Sequence, residues 1–283
     1  MSAVAVHTNN QARRRWIVYL IRYAIILVAL IFFLFPIFWV ITIAIKAPDE
    51  YFHNPPVWIP RGIDLSHFEA LGRSGALTSL RNSLIVTVTS TALALLVGCP
   101  AAYSLARFNT GGHNFAFWIL SQRFLPPVAV VFPIFLLFRF LQWVDTYQGL
   151  IVLYTTFNLP FVVWMMRGYF RDVPLEIEES ALVDGCSRWR ALWAITLPLS
   201  IAGLIATGIF TFIFIWNEFL FALVLSRTKA ITYPIVLSGY FGPEAAFWGD
   251  AASLSLIATV PVVVLTLLMQ RHLVAGLTLG AVK

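Results

Sequence analysis

Long apolar runs alternate with short polar segments along the whole chain. Each run approaches or exceeds the roughly 20 residues that a helix needs to cross a bilayer. We predict six membrane-spanning helices, at about residues 18–45, 83–105, 115–138, 150–166, 199–225 and 251–270. Helices satisfy their own backbone polar groups in lipid, whereas an outer-membrane barrel would show alternating ten-residue strands. The pattern therefore predicts an all-α polytopic membrane protein, with residues 1–283 as a single transmembrane domain.

Composition supports a membrane protein and disfavours a soluble one. Hydrophobic residues make up 60% of the chain and charged residues 11%, against about 45–50% and about 25% in soluble domains. Mean hydropathy is +0.84. The first apolar run follows Arg13–Arg15 and exceeds the 7–15 apolar residues of a signal peptide. We therefore expect it to be retained as the first span.

Lysine and arginine in the loops predict the orientation. With six spans, one side of the membrane carries Arg13, Arg14, Arg15, Arg107, Arg167, Arg171, Arg188, Arg190, Arg271 and Lys283. The other side carries Lys46, Arg61, Arg73, Arg81, Arg139, Arg227 and Lys229. Cytoplasmic loops carry the excess of basic residues, most strongly beside the first span. We expect both termini to be cytoplasmic.

Residues 171–198 form a polar island between the fourth and fifth predicted spans. Five of the 13 acidic residues fall within it, namely Asp172, Glu176, Glu178, Glu179 and Asp184. Asp172 and Pro174 are typical of a helix start, and Gly185 is typical of a left-handed helix stop. Ser187 can cap a second short helix, which Pro198 would end.

The first predicted island helix has two different faces. We expect Leu175, Ala181 and Leu182 to form an apolar face, with Glu178 and Glu179 pointing outward to solvent. Such a charge concentration in a charge-poor chain indicates a docking surface for another protein. A solvated loop with no partner is the alternative that local chemistry leaves open.

Signatures of catalysis are missing from the sequence. The three lysines lie outside any G-x-x-x-x-G-K-[ST] motif, and neither H-E-x-x-H nor G-x-S-x-G occurs. Cys99 and Cys186 have no metal-ligand partners at useful spacing. We expect no catalytic residue, no metal and no cofactor in this chain, and no nucleic-acid partner.

The island carries a family resemblance. Glu179-Ser180-Ala181, then Asp184-Gly185, nine residues and Ile195-x-Leu197-Pro198 resemble the EAA loop of ABC importer permease subunits. Trp216-Asn217-Glu218 and the tail from Val274 to Lys283 resemble the carbohydrate (maltose-type) branch. The segment beginning Arg123-Phe-Leu-Pro-Pro is similar to sugar and polyol permeases.

This resemblance implies a type I ABC importer permease that forms half of a translocation pathway. Expected partners are a second paralogous permease, two ATPase subunits that bind the ATP, an extracytoplasmic solute-binding protein and a carbohydrate, in a bacterial cytoplasmic (inner) membrane. The first island helix would be the coupling helix that docks on an ATPase. The coupling residues implied are Glu178, Glu179, Ala181, Asp184, Gly185, Leu197 and Pro198. The tail from Ala275 to Lys283 would also reach the ATPase pair.

Three polar residues near the apolar runs are candidates for the cargo route. Arg123 lies about 12 Å into the third span at 1.5 Å per residue, and the prolines after it should distort that helix. Asn217 and Glu218 lie toward the outer end of the fifth span. All three could instead stabilise packing or reach the interface, and this alternative stays open.

Some features depart from the family pattern, and other transporter classes remain alternatives. Residues 201–203 lack the proline often found just after the EAA loop, which leaves a kink there undecided. An ion-coupled secondary transporter would show internal repeats and midplane carboxylates, neither of which is evident. An ABC permease for a non-carbohydrate solute is the nearer alternative, and a membrane-embedded enzyme is disfavoured.

Overall fold

A computed structural model describes residues 2–108, 110–112, 114–241 and 247–279, with side chains described between residues 16 and 270 of those ranges. Strands are absent from these described residues. The helices are α1 Ser2–Ile45, α2 Ser66–Arg73, α3 Ala76–Arg107, α4 Phe115–Ser121, α5 Pro127–Phe140, α6 Tyr147–Asp172, α7 Leu175–Val183, α8 Arg188–Ala191, α9 Leu197–Leu199, α10 Ile201–Trp216, α11 Leu220–Leu225, α12 Tyr233–Gly239 and α13 Trp248–Leu279. Tighter 3₁₀ turns occupy Pro48–Glu50 and Gln122–Phe124, and a π-turn occupies Leu192–Thr196. The end of the tail, residues 280–283, lies outside the described residues.

Four described helices are long and apolar enough to cross a membrane. They are Trp16–Ile45, Ala76–Arg107, Tyr147–Asp172 and Trp248–Gln270. Two bent helix pairs raise the number to six if each pair is one span: Phe115–Phe124 with Pro127–Phe140, and Arg188–Leu199 with Ile201–Trp216. Five of these segments match the predicted spans to within a few residues, whereas the fifth begins earlier, inside the polar island, and ends earlier, at Trp216.

The third span is broken, as its prolines predict. Its two halves meet at an angle of 88°. Leu125 and Pro126 have extended backbone, with ψ values of 122° and 123°. A residue before proline is disfavoured in the helical region, and two consecutive prolines impose this restriction on both positions. The second half then begins with Pro127 at its first turn, where the missing N–H is harmless.

The fifth span is not the continuous helix predicted over residues 199–225. An 82° bend separates Arg188–Leu199 from Ile201–Trp216, and a second break separates α10 from α11. The first bend occurs at Ser200, which has φ −98° and ψ 18°. It forms without the proline whose absence left the kink undecided. Gly203, three residues further on, permits the close approach of α10 to α6, because a β-carbon there would overlap the ring of Tyr169.

Contacts divide the chain into two compact units, Met1–Ala70 with Gly242–Leu256 and Leu71–Phe241 with Ile257–Lys283. Within the first unit, buried polar groups hold the chain together after α1. His67 Nδ1 lies 2.8 Å from Asp250 Oδ1, and its Nε2 lies 2.8 Å from the hydroxyl of Tyr51. The buried ammonium of Lys46 donates to the carbonyl of Val57.

The second unit is built on α3 packed along α6. A β-carbon at Gly98 of α3 would overlap the side chain of Val162 on α6, so glycine permits the close approach of the two helices. Around this contact Ala94, Ala102, Met166 and Phe170 are fully buried. This pair positions the residues of the polar island at one end and those of the candidate cargo route along its length.

Candidate functional site

The first island helix, α7, begins later than predicted. Asp172 is the last residue of α6, and Pro174 occupies the N-cap position of α7. The expectation that Asp172 helps to start this helix, as an N-capping residue would, is therefore wrong. Proline restricts the residue before it to extended backbone, which ends α6 and sets the chain direction for α7. Glu176 and Glu178 lie in the first turn, where a negative charge is favourable.

Gly185 provides the predicted left-handed stop, with φ +86°. Its N–H donates to Leu182 O at 3.1 Å, and the N–H of Cys186 donates to Ala181 O at 2.9 Å. These two bonds define a Schellman turn, in which a residue with positive φ satisfies the last carbonyls of a helix. The turn reverses the chain after α7 and leaves the end of that helix exposed.

The second island helix extends beyond its predicted end. Ser187 caps it as predicted, since its hydroxyl accepts the N–H of Arg190 at 3.3 Å. The chain then widens into the π-turn Leu192–Thr196 and continues through Pro198 to Leu199. The prediction that Pro198 ends the helix is wrong. Proline lacks an N–H, and the π-turn just before it accommodates the interrupted hydrogen-bond ladder.

Glu178 is buried, so the prediction that it points outward is wrong. Its side chain is 4% exposed, and its Oε1 lies 2.6 Å from Nη2 of Arg107. Tyr103 donates to Oε2 at 3.0 Å, and Thr196 donates to Oε1 at 2.6 Å. No local pattern in the sequence indicates these contacts, because the arginine lies 71 positions earlier. A buried carboxylate needs this set of donors.

The rest of α7 faces solvent. Glu179 is exposed as predicted, and so are Asp184 and Gly185, while Ala181 is half-buried. Leu175 is 48% exposed, Ile177 42%, Leu182 37% and Val183 88%. Leu197 is half-buried and Pro198 is exposed at the far end of the island. An apolar helix surface flanked by carboxylates is thus free in this subunit and is chemically suited to a protein partner.

Arg123 and Glu218, two of the three residues assigned to the cargo route, line one cavity of about 210 Å³. The other lining residues are Leu125, Pro127, Tyr154, Phe157, Asn158, Phe214 and Phe221. Arg123 Nη1 donates to the carbonyl of Phe157 and to Asn158 Oδ1, both at 2.9 Å. The cavity lies where the third and fifth spans are broken, and its wall combines charged groups with aromatic rings.

Glu218 also has a local structural role at the second break of the fifth span. Its carboxylate accepts the N–H groups of Phe221 at 2.9 Å and Ala222 at 3.2 Å, which are free donors in the first turn of α11. Tyr154 donates to the same carboxylate at 2.7 Å. Glu218 therefore caps α11 and ties it to α6 while it borders the cavity.

Asn217 lies in a neighbouring cavity of about 290 Å³, which does not include Arg123. Its amide nitrogen donates to Ile213 O at 2.9 Å, and its Oδ1 accepts the hydroxyl of Tyr233 at 3.1 Å. The structure thus separates Asn217 from the other two candidates of the cargo route. Its hydrogen bonds end α10 and attach α12, a packing role that the sequence analysis had left open.

Sequence reasoning missed Asp145, which lies between α5 and α6 and has φ +59°. Its carboxylate accepts four consecutive backbone N–H groups, from Arg227 to Ala230, and the hydroxyl of Thr228. Burial alone would raise the pKa of this carboxyl, but these donors outweigh it and hold the pKa well below its usual range. No sequence motif marks this contact, because Asp145 and the segment from Arg227 to Ala230 are more than 80 residues apart.

Metal-ligating side chains do not converge in the part of the chain that the structure describes: no three His, Cys, Asp or Glu residues are placed to share an ion. The free cysteines, buried Cys99 and half-buried Cys186, carry no such partners there either.

Comparison with known families decides the class. Residues 94–278 match the family described as binding-protein-dependent transport system inner membrane component. The chain belongs to this family. It is an all-α, polytopic inner-membrane ABC transporter permease, a transport subunit rather than an enzyme.

Two relatives and one solved structure are similar to this permease over most of its length. The diacetylchitobiose uptake system permease protein DasC of Streptomyces coelicolor is 32% identical over 88% of this chain and 91% of its own. The trehalose transport system permease protein SugB of Mycobacterium tuberculosis is 32% identical over 88% and 92%. A bacterial ABC transporter involved in the import of alginate has a chain with TM-score 0.75 at 22% identity, covering 92% of this chain and 98% of that one. The likeness to that chain confirms the type I importer permease fold.

Proposed function

We propose that this permease carries a sugar, a polyol or a sugar derivative into the cell as half of the translocation pathway of an ATP-driven importer. DasC and SugB, which match nearly their whole length, are named for uptake of diacetylchitobiose and trehalose. The Trp216-Asn217-Glu218 segment, which resembles the carbohydrate branch, ends α10 and contributes Glu218 to the cavity that contains Arg123.

Coupling to an ATPase is the part of this function that α7 supports. The observation that carries it is the exposed apolar surface of α7, with Val183 88% exposed, which ends at the turn formed by Gly185. Burying one such side chain in a partner's cleft contributes about 1.5–3 kcal/mol. Exposed Glu179 and Asp184 beside it would pair with basic residues at the rim.

The same proposal sets the other partners and the orientation. Two ATPase subunits would bind the ATP, a second paralogous permease would complete the pathway, and an extracytoplasmic binding protein would deliver the carbohydrate. The island and both termini would face the cytoplasm, as the basic loops indicate. The tail from Ala275 to Lys283 would also contact the ATPase pair, although its last four residues lie outside those described.

The cargo route would pass the cavity that contains Arg123 and Glu218. Aromatic rings beside charged and amide groups are the surface that a sugar ring with its hydroxyls requires. Asn217 would border the same route from the neighbouring cavity, which is also lined by Phe219, Tyr233 and Phe241. Because both cavities adjoin the break at Asn217–Phe219, motion of α11 against α10 would change both together.

Uptake by the reconstituted complex tests the proposal. The permease is expressed with its partner permease and the ATPase, purified through a tag on this chain and placed in proteoliposomes with binding protein and labelled disaccharides. Co-purification of an ATPase and ATP-dependent disaccharide uptake are expected. Uptake driven by an ion gradient without ATP would instead establish a secondary transporter, and ATP-dependent uptake of amino acids or peptides alone would exclude carbohydrate.

Replacement of Glu179 by lysine then tests the docking role of α7. Reversal of an exposed charge should weaken association with the ATPase without unfolding the permease, because surface substitutions rarely change stability by more than about 0.5 kcal/mol. Asp172→Lys serves as the matched control, since Asp172 is an exposed carboxylate at the end of α6. Equal ATPase recovery with both variants would contradict docking through α7.

A further inference from the structure

We propose that Glu178 is a positioning residue that fixes the coupling helix α7 to the membrane-spanning helices. Movement of α7 would then be transmitted to α3, which is the second span, and to the start of the fifth span. This inference rests on the proposed coupling of α7 to an ATPase. It assigns Glu178 a different task from its neighbour Glu179: Glu178 holds the helix from inside, and Glu179 meets the partner outside.

Burial along α7 supports this division. Within Leu175–Val183, all of which the structure describes, Glu178 is the one buried residue. A short surface helix is ordinarily attached through an apolar face that packs on the core. Here the four larger apolar side chains are exposed, and a carboxylate is turned inward instead. The attachment of α7 to the bundle is therefore polar.

The contacts of the Glu178 carboxylate join three separate parts of the chain. Arg107, the last residue of α3, donates to Oε1 through Nε at 2.8 Å and through Nη2 at 2.6 Å. Tyr103, one turn earlier on α3, donates to Oε2 at 3.0 Å. Thr196, in the π-turn before α10, donates to Oε1 at 2.6 Å. One side chain thereby ties α7 to α3 and to the bent entrance of the fifth span.

Arg107 extends the connection to a fourth element. Its Nη2 also donates to the carbonyl of Val173 at 2.9 Å, the residue that follows α6. The side chain of Arg107 is 8% exposed, so both charges of the pair are removed from water. Hydrogen bonds between ionised groups are directional and about twice as strong as neutral ones. Such bonds suit an attachment whose geometry must be kept while α7 moves.

A docking residue would look different. The carboxylate of Glu178 is covered by its own chain and cannot reach a basic group on another subunit unless it leaves Arg107. Leaving would strand a buried guanidinium without its counter-charge, which is strongly unfavourable. The turns on either side of α7 also restrict its position. Pro174 fixes the backbone before the helix, and the Schellman turn at Gly185 fixes the backbone after it.

The test uses the whole complex with its ATPase, partner permease and binding protein in proteoliposomes. ATP hydrolysis and cargo uptake are measured on the same preparation for Glu178→Gln, with Asp172→Asn as the control for loss of one acidic charge in this loop. The glutamine variant keeps the size of the side chain and removes its charge. We expect assembly to persist, hydrolysis to stay within about threefold, and cargo moved per ATP to fall at least tenfold.

Thr196→Val is a second variant for the case in which Glu178→Gln misfolds. It removes the hydroxyl that donates to Glu178 and leaves the ion pair between Glu178 and Arg107 intact. We expect a smaller fall in cargo moved per ATP, about threefold. The inference is overturned if Thr196→Val keeps the wild-type ratio of uptake to hydrolysis and Glu178→Gln, when it assembles, keeps it as well. The contacts of Glu178 would then play no part in coupling ATP hydrolysis to transport. Parallel losses of hydrolysis and uptake would show a purely structural role and would also overturn the inference.

Failure of the proposed function is recognised separately. If the wild-type chain brings no ATPase, or if hydrolysis does not respond to loaded binding protein, α7 is not a coupling helix and the premise fails. If the wild type couples normally while both variants keep its ratio, the premise stands and only the role of Glu178 fails.

Discussion

The guanidinium of Arg123 lies over the ring of Phe214, with its central carbon 4.8 Å from the ring centre. The same group donates to Asn158 on α6, so one charged side chain joins the break of the third span to two other helices. A cation over an aromatic face is stabilised by about 0.5–2 kcal/mol. The contact shows how a charged side chain is held among the apolar residues of the third span, where a charge needs a partner or a cavity.

Arg123→Lys and Arg123→Met separate the charge of this residue from its shape. Lysine keeps the charge but lacks the planar group that stacks and donates in two directions. We expect the uptake rate to fall about threefold with lysine and at least tenfold with methionine. A tenfold change corresponds to about 1.4 kcal/mol of lost interaction free energy. Initial rates at several cargo concentrations provide the measurement. Unchanged apparent KM in both variants would show that Arg123 supports packing and not cargo binding.

Asn217→Ala should reveal which of its two roles dominates. The amide ends α10 and holds Tyr233 of α12, so its loss should destabilise the protein by about 1 kcal/mol. Thermal unfolding in detergent measures that change, and competition between labelled sugars measures specificity. Altered specificity would favour a place on the cargo route. Lower stability with the same preference among sugars would leave Asn217 a packing residue.

Asp145→Asn should remove a pH-dependent part of the stability. The native pKa of this carboxyl is depressed, so its contribution is complete above the unfolded value of about 3.9 and is lost as pH falls below it. Asparagine tolerates the left-handed backbone of this position, which leaves the charge as the main difference. We expect wild type to exceed the variant by about 1–2 kcal/mol at pH 7. The gap should narrow toward pH 3, and a gap independent of pH would contradict the assignment.

Gly185→Ala should loosen the turn after α7, because φ +86° costs a residue with a β-carbon about 1–2 kcal/mol. Gly185→Pro should abolish uptake while the protein stays in the membrane, since proline cannot adopt positive φ and removes the N–H bonded to Leu182. Gly168→Ala is the matched control, as a β-carbon there meets no atom within 4 Å. Normal uptake by the proline variant would exclude the turn from coupling.

Gly203→Ala should disturb the close approach of α10 to α6. The added β-carbon overlaps the ring of Tyr169, and overpacking of this kind costs about 1–3 kcal/mol. Gly208→Ala on the same helix meets one side-chain atom at ordinary contact distance, 3.4 Å from Leu95, and should be tolerated. Thermal unfolding of the two variants provides the comparison. Combining Gly203→Ala with Tyr169→Ala should recover part of the loss.

Much of this architecture follows from short-range sequence patterns. Apolar run length predicts the spans, Pro126 and Pro127 predict the broken third helix, and Gly185 and Ser187 predict a stop and a cap. Each of these depends on a residue and its immediate neighbours. The prediction of a continuous fifth span was wrong because neither the bend at Ser200 nor the break at residues 217–219 contains a proline. Glu218 at the second break is held by the hydroxyl of Tyr154, which lies 64 residues earlier.

The interior contacts could not be predicted in the same way. Glu178 and Glu179 are adjacent identical residues, and nothing local distinguishes the buried one from the exposed one. The distinction comes from Arg107, which α3 and α6 bring beneath α7. Asp145 likewise acts on residues 227–230. A single sequence carries no record of such pairs, because they arise only when the helices assemble.

The buried pair of Arg107 and Glu178 also bears on transporter engineering. Residues 171–198 look like a portable segment, a loop that could be exchanged between permeases to change which ATPase they accept. The anchoring arginine, however, lies far outside that segment, at the end of α3. A graft of the loop alone would place a buried carboxylate on a foreign scaffold without its counter-ion. Chimeras should therefore carry the end of α3 together with the loop, or choose recipients that already supply an arginine at that place.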